Sequence, residues 1–595
     1  MLGMLSEKIN EILLKYDKTS DKFSESDISQ EIEAVLKEND LPKCPLDCLA
    51  EAMAFDFNEY PNNDSCWGTY FGPSMVLTST DGNIVEYPSI KRISEDMIEH
   101  LAERSKQSSH PILRARYAIL VWDFTKITTG KTPHFSIAQI AIDSIVDVAQ
   151  KNCHKFKIDV IRKLEHALSL SVSLNDNSRI AKVRDAIITY EELVAEDKKP
   201  GLWGFAYDLL WNNEKANLTD VQRQKLISDL ESRLERVSQV GAPNFDPWST
   251  ESAAIRLANH YRRLDSPKDV KRVILKIGSA FEEEISKGNS PLRAYFLLQQ
   301  VHATYIRYNL REDANEIAKK LREIGPQISK EMKEICHEIK ISKEEMDSYL
   351  EKVLDGDIED VLKRIAALYV PSKVKVEEQL DELSKKAPLY FIFTKHLQNH
   401  EGRTVANLDS IDNDQMGHIV HQMYQNMVFG SMFLRSVMSS LISKFSLTNK
   451  RIVDYLYQSP IFNEDRRRII EIGVQSYLEG SYIVAIHLLV PQIEDAIRKL
   501  TQLSGGSILK QSRLGRFNLK ILDELLREER ILDAFGEDAT LYFRVLLTDQ
   551  RGWNVRNNTC HGLLPSEAFN AIIADRVIHV LFCLALVRER ERQVE

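Results

Sequence analysis

Apolar residues recur at every third or fourth position along most of this chain, and few residues interrupt them. Glycine (23) and proline (18) are scarce among 595 residues. Glycine weakens helices through backbone entropy, and proline through its missing N–H. A chain with this spacing and so few breakers is committed to amphipathic helices. Leu5, Ile9, Ile12 and Leu13 carry the pattern near the start, then Ile28, Ile32 and Leu36. Ala254, Leu257 and Tyr261 repeat it mid-chain, as do Leu292, Tyr295, Leu298, Val301 and Tyr305. The expected fold class is mainly α: solenoid-like helical regions in the N-terminal and middle parts, two small β-hairpin patches, and a C-terminal helical bundle.

Three regions are expected. Residues 1–198 form a mostly helical domain with one hairpin, closed by Lys198-Lys199-Pro200-Gly201. Residues 199–386 form an irregular α-solenoid of helix pairs without a strict repeat. Residues 387–595 form the bundle. Met75–Thr78 and Ile84–Tyr87 flank Asp81-Gly82-Asn83 and predict the first hairpin. Pro388-Leu389-Tyr390-Phe391-Ile392-Phe393 and Thr404-Val405-Ala406, turning at Glu401-Gly402, predict the second.

Composition excludes several classes of protein. With 43% hydrophobic and 28% charged residues the chain is neither disordered nor fibrous. Its net charge is −10, from 78 basic and 88 acidic residues. No molecule-wide positive field exists to hold a long duplex. From Arg451 to Glu595 there are 19 basic and 20 acidic residues, so any contact with nucleic acid must be local. Seven cysteines make no disulfide scaffold and point to a reducing cytoplasm. Met1–Tyr16 carries Glu7 and Lys8, unlike a signal peptide. The longest apolar stretch, Phe569–Val587, contains Asp575, Arg576 and His579, which predicts a buried helix rather than a membrane span. Cys44, Cys48 and Cys66 are poorly spaced for zinc, and no phosphate-cradling loop or dinucleotide fingerprint is present. No metal or cofactor is expected.

The C-terminal 130 residues carry the sharpest chemistry. Helices are predicted at Glu464–Tyr477 and, after Gly480-Ser481, at Tyr482–Leu503, with Pro491 bending the second. Others are predicted near Leu519–Arg530 and Asp538–Asp549. A polar loop, Asp549–Gly562, then leads through Pro565 into a final helix reaching about Arg590. His487 lies among Ile486, Leu488 and Leu489 and is expected in the core. Trp553 and Tyr542 are expected to pack, and Arg466-Arg467-Arg468 to form a solvated face. In the loop, Arg556-Asn557-Asn558-Thr559-Cys560-His561-Gly562 sets a guanidinium and an imidazole five residues apart. A guanidinium grips phosphate with a planar fork and stays charged. An imidazole moves protons near neutral pH. Together they suffice for RNA cleavage without a metal. A pair at this spacing is expected by chance in such a composition; the helical setting, Asn557 and Gly562 give it weight.

That segment resembles the HEPN superfamily of nucleotide-binding helical domains, and more narrowly a HEPN-related family of unknown function with an R-N-x-x-x-H-G motif. Ala387–Phe393 with the Gly402 turn, and Leu489–Arg498, are similar to the same family. The resemblance covers about Ala387–Arg590. It implies a metal-independent endoribonuclease that dimerises through this domain, in a bacterial defence or toxin-type system. Single-stranded or tRNA-like RNA would be the substrate. His561 would be the acid/base, Arg556 the phosphate-binding residue, and Asn557 an orienting residue. Glu494, Arg498 and Asn558 would support them, Glu494 by positioning Arg556. The helical region would then receive a protein trigger or inhibitor. The alternative is a non-catalytic scaffold whose HEPN-like domain dimerises or holds a nucleotide.

Overall fold

The computed structural model describes residues 2–38, 45–60, 67–78, 84–328, 330–331, 340–399, 401–511 and 515–588. Helices dominate, and the strands form four two-stranded antiparallel sheets. The fold is mainly α, as the spacing predicts. The chain divides into two compact units, Met1–Leu321 and Arg322–Glu595.

In the first unit the Pro111–Thr129 helix packs against the Glu95–Gln107 and Phe135–Lys151 helices and is buried along most of its length. Pro111 starts it, the His110 ring accepts the Ile112 N–H, and Gly130 (φ 72°) ends it. Its buried Arg116 donates to Glu59 (3.0 Å) and to the Ala54 carbonyl (2.6 Å). Lys163 pairs with Glu25 (2.8 Å) and Glu59, and His154 with Glu25 (2.9 Å). Burial opposes charge on Glu25, yet Lys163 and His154 hold its carboxyl well below the usual range. The cluster ties the short Asn58–Glu59 and Phe71–Gly72 strands to the Lys157–Ser173 helix. The predicted hairpin pairs Met75 with Tyr87 and Thr78 with Ile84. Its Asp81-Gly82-Asn83 turn, like Cys44 and Cys66, lies outside the described residues.

Further along, the Asp220–Ser238, Pro247–Arg263, Pro267–Ser286 and Pro291–Arg307 helices pack each on the next. Asp246-Pro247, Ser266-Pro267 and Ser290-Pro291 start three of them, with proline where an N–H would have no partner. Ala254, Leu257, Tyr295, Leu298, Val301 and Tyr305 are buried, as their spacing predicts.

The second unit is built around the Ala571–Leu584 helix, which packs on Ile358–Leu368, Gln415–Phe445 and Tyr482–Leu503. Every residue from Ala574 to Leu584 is buried. Asp575, Arg576 and His579 are therefore all partnered, since an unpaired buried charge is costly. Asp575 accepts from Arg435 (3.0 Å) and the Tyr477 hydroxyl (2.6 Å). Arg576 donates to the carbonyls of Tyr369 (3.2 Å) and Met427 (2.9 Å). His579 donates from Nε2 to the Ile365 carbonyl (3.2 Å), which leaves Nδ1 to accept from the Tyr542 hydroxyl (2.8 Å). Burial raises Asp575 to about 6, and burial beside Arg576 lowers His579 to about 3.

Several local expectations are corrected. Pro388–Ile392 is a short helix, and the hairpin strands are Lys395–Gln398 and Thr404–Leu408, with a register irregularity at Leu397/Gln398. Proline at the first position suits a helix start better than a strand. The span near Leu519–Arg530 holds a strand, Phe517–Leu519, paired with Leu509–Gln511, followed by the Leu522–Leu525 helix. The next helix starts earlier than Asp538, at Glu529, and breaks at Gly536 (φ 77°, ψ 171°). The final helix begins at Ala571, capped by Asn570, and ends at Leu584; Pro565 precedes a separate 3-10 turn. Arg590 lies outside the described residues. His487 is exposed, not in the core: its ring stacks on Phe569 at 4.8 Å.

Candidate active site

The motif does not lie in a loop. Val555–Cys560 is a short helix, led in by a turn in which Gly552 N–H donates to the Asp549 carbonyl (3.0 Å) and Trp553 N–H reaches back to the Val545 carbonyl (2.8 Å). Gly552 is required there: a Cβ would stand 2.1 Å from the Val545 oxygen. Six residues are too few for a helix to persist alone. Val555 and Thr559, four apart, are buried and pin it against the Tyr482–Leu503 and Glu529–Leu547 helices. That placement brings Arg556 to Glu494.

Arg556 Nε donates to Glu494 Oε2 (2.9 Å) and Nη1 to Asn557 Oδ1 (3.1 Å). Glu494 Oε1 accepts from Arg498 Nη2 (2.6 Å), and Arg498 Nη1 reaches the Lys520 carbonyl (2.9 Å). One carboxylate thus sits between two guanidiniums, leaving one positive charge uncompensated within the trio. The Glu494 side chain is 14% exposed and Arg556 21%, so the pair is only partly screened by water. Arg556 Nη2 makes no hydrogen bond among the described residues.

Asn557 Nδ2 donates to Asn554 Oδ1 (2.8 Å) and the Thr548 carbonyl (3.2 Å), which fixes its oxygen toward Arg556. Asn554 itself adopts the left-handed region (φ 51°) that a short polar side chain tolerates. Neither Asn554 nor Thr548 stands out in the sequence, because both act through turns. Asn558 closes the far end: its carbonyl accepts from the N–H groups of Leu563 (2.8 Å) and Leu564 (3.2 Å).

His561 caps the helix and is exposed. Its imidazole makes no hydrogen bond or ion pair among the described residues. Gly562 (φ 65°) then reverses the chain. His561, one residue past the helix, shares no hydrogen bond with the network that joins Arg556, Asn557, Glu494 and Arg498 among the described residues. Nearby, Arg551 pairs with Asp549 (3.1 Å) and Asp414 (3.3 Å) and is committed to structure. Tyr542 is fully buried against His579, and Trp553 packs on the core. Arg467 and Arg468 pair with Glu464 and Glu471 on the helix surface.

Among the described residues no three His, Cys, Asp or Glu side chains gather as metal ligands, and no helix is long and apolar enough to cross a membrane. No protein-family model, curated protein or solved structure matches this chain. A functional reading therefore stands on the Arg556–Gly562 motif and the contacts around it.

Proposed function

We propose that the second unit is a metal-independent endoribonuclease of the HEPN type, acting on single-stranded or tRNA-like RNA as a homodimer. The observation that carries this reading is the clamp on Arg556. Glu494 and Asn557 hold two of its nitrogens and leave Nη2 free, within a trio that keeps a positive charge. That is the arrangement a bound phosphodiester requires: an oriented fork with unspent charge.

The substrate 2′-hydroxyl attacks the adjacent phosphorus as its proton passes to a base. The bond to the 5′-oxygen breaks as that oxygen takes a proton from an acid. The products are a 2′,3′-cyclic phosphate and a 5′-hydroxyl. Arg556 stabilises the charge on the phosphorane, and the exposed His561 moves the proton. Because His561 shares no hydrogen bond with the network that holds Arg556 among the described residues, a second copy supplies the complementary histidine or arginine. A bacterial defence or toxin setting, with a trigger or inhibitor on the helical region, is part of the same reading.

The test is incubation of the full chain with total cellular RNA in EDTA. Wild type is expected to leave 2′,3′-cyclic ends. His561→Ala and Arg556→Ala each remove cleavage, with the circular dichroism spectrum unchanged. Glu494→Gln lowers cleavage about 10- to 100-fold by freeing the guanidinium. Cleavage that survives both alanine variants, or that requires a divalent ion, excludes this assignment.

A further inference from the structure

A cavity of about 200 Å3 opens in the second unit, beside the hairpin strand Lys395–Gln398 and the start of the Gln415–Phe445 helix. Leu380, Leu383 and Phe391 give it an apolar wall, and Lys395, His418 and His421 a basic one. No carboxylate is among its described lining residues.

Two donors face it without partners. Lys395 Nζ is buried and makes no hydrogen bond among the described residues; it sits 3.2 Å from the centre of the Tyr390 ring. The aromatic face compensates only part of what an ammonium loses on leaving water. Burial pulls this lysine down to about 8, with no acidic neighbour opposing it. The second donor is His421. Its Nε2 lies 3.3 Å from the Gln425 amide nitrogen, which can only donate, so the ring proton belongs on Nδ1. That Nδ1 is buried and has no hydrogen-bond partner among the described residues. Of the carboxylates flanking it, Asp414 pairs with Arg551, and Asp409 accepts from the Thr394 hydroxyl (3.0 Å). His418 is spent on the Asp409 carbonyl (2.8 Å).

The buried Lys395 ammonium thus has no carboxylate partner among the described residues, and the cavity has room for roughly six waters. We propose that this cavity binds a small organic anion, whose carboxylate or phosphate pairs with Lys395 and His421 and whose apolar body lies against Leu380, Leu383 and Phe391. None of the residues lining this cavity belongs to the Arg556 clamp.

Calorimetric titration of the full chain at pH 7 with phenyl phosphate, benzoate and phenol tests it. Saturable binding of at least one anion, and none of phenol, is expected; the tighter anion identifies the head group. Lys395→Gln is expected to weaken binding at least tenfold, and Lys395→Arg to stay within a few-fold of wild type. In the wild-type protein, saturating anion is expected to slow acylation of Lys395, mapped by mass spectrometry. That arm holds even where a variant fails to fold. Absence of both binding and protection, or equal affinity in a folded Lys395→Gln variant, overturns the proposal.

Discussion

His579 and Asp575 are four residues apart on the central helix, and burial drives their protonation in opposite directions. The unfolded chain protonates His579 near pH 6.5, but the folded chain only near 3. Below about 6.5 the unfolded state therefore binds the extra proton, and stability falls, by about 2 kcal/mol at pH 5. Asp575 runs the other way. Its folded value is about 6, above the ordinary carboxyl, so at pH 5 the folded state holds the extra proton. This adds about 1.4 kcal/mol relative to pH 7. The two contributions nearly cancel in the wild type at pH 5. His579→Gln should then be relatively more stable at pH 5 than at pH 7, and Asp575→Asn relatively less. Urea midpoints at the two pH values measure this; parallel pH dependence in all three proteins would contradict it. Phe569–Val587 already shows these charges in an apolar run, so their burial was legible. Their partners were not: Arg435 lies 140 positions away.

At the scale of elements, spacing located a helix well where one apolar face runs unbroken over many turns, and poorly elsewhere. Tyr482–Leu503 matches its expected bounds because its apolar face spans many turns. Val555–Cys560 carries no such face, and only the burial of Val555 and Thr559 makes it helical. The Phe517–Leu519 strand is exposed on every residue, so no alternation marked it. The break inside Glu529–Leu547 has a local cause. Gly536 occupies a region of backbone space (φ 77°, ψ 171°) that is nearly closed to residues with a Cβ. Gly536→Ala is expected to cost about 1–3 kcal/mol, read from the denaturation midpoint, although no neighbour crowds the added methyl. An unchanged midpoint would show that the kink is not built into the native backbone.

For the whole molecule, charge decides how RNA can be held. A net charge of −10 leaves no long basic track, and the proposed cleft offers only Arg556 and Arg498 from each of two copies. Single-stranded binding loses about 0.7 log units of affinity per phosphate contact for each tenfold rise in salt. With two to four contacts, affinity should fall about 7- to 50-fold between 50 and 200 mM salt. RNA binding to the His561→Ala variant checks this. A loss of a thousandfold would reveal a basic surface that the composition gives no sign of.

Local chemistry determined the helical class, the buried charged helix and the Arg556–His561 pair, because periodicity, breakers and side-chain type act over a few residues. The resemblance already points to Glu494 beside Arg556, and the packing brings the two, 62 positions apart, into hydrogen-bond contact; tertiary structure alone decided that Lys395 and His421 share a cavity without a carboxylate among its described lining residues. Such meetings depend on which helices pack together. A helical stripe shows that a face will be buried, but not against what.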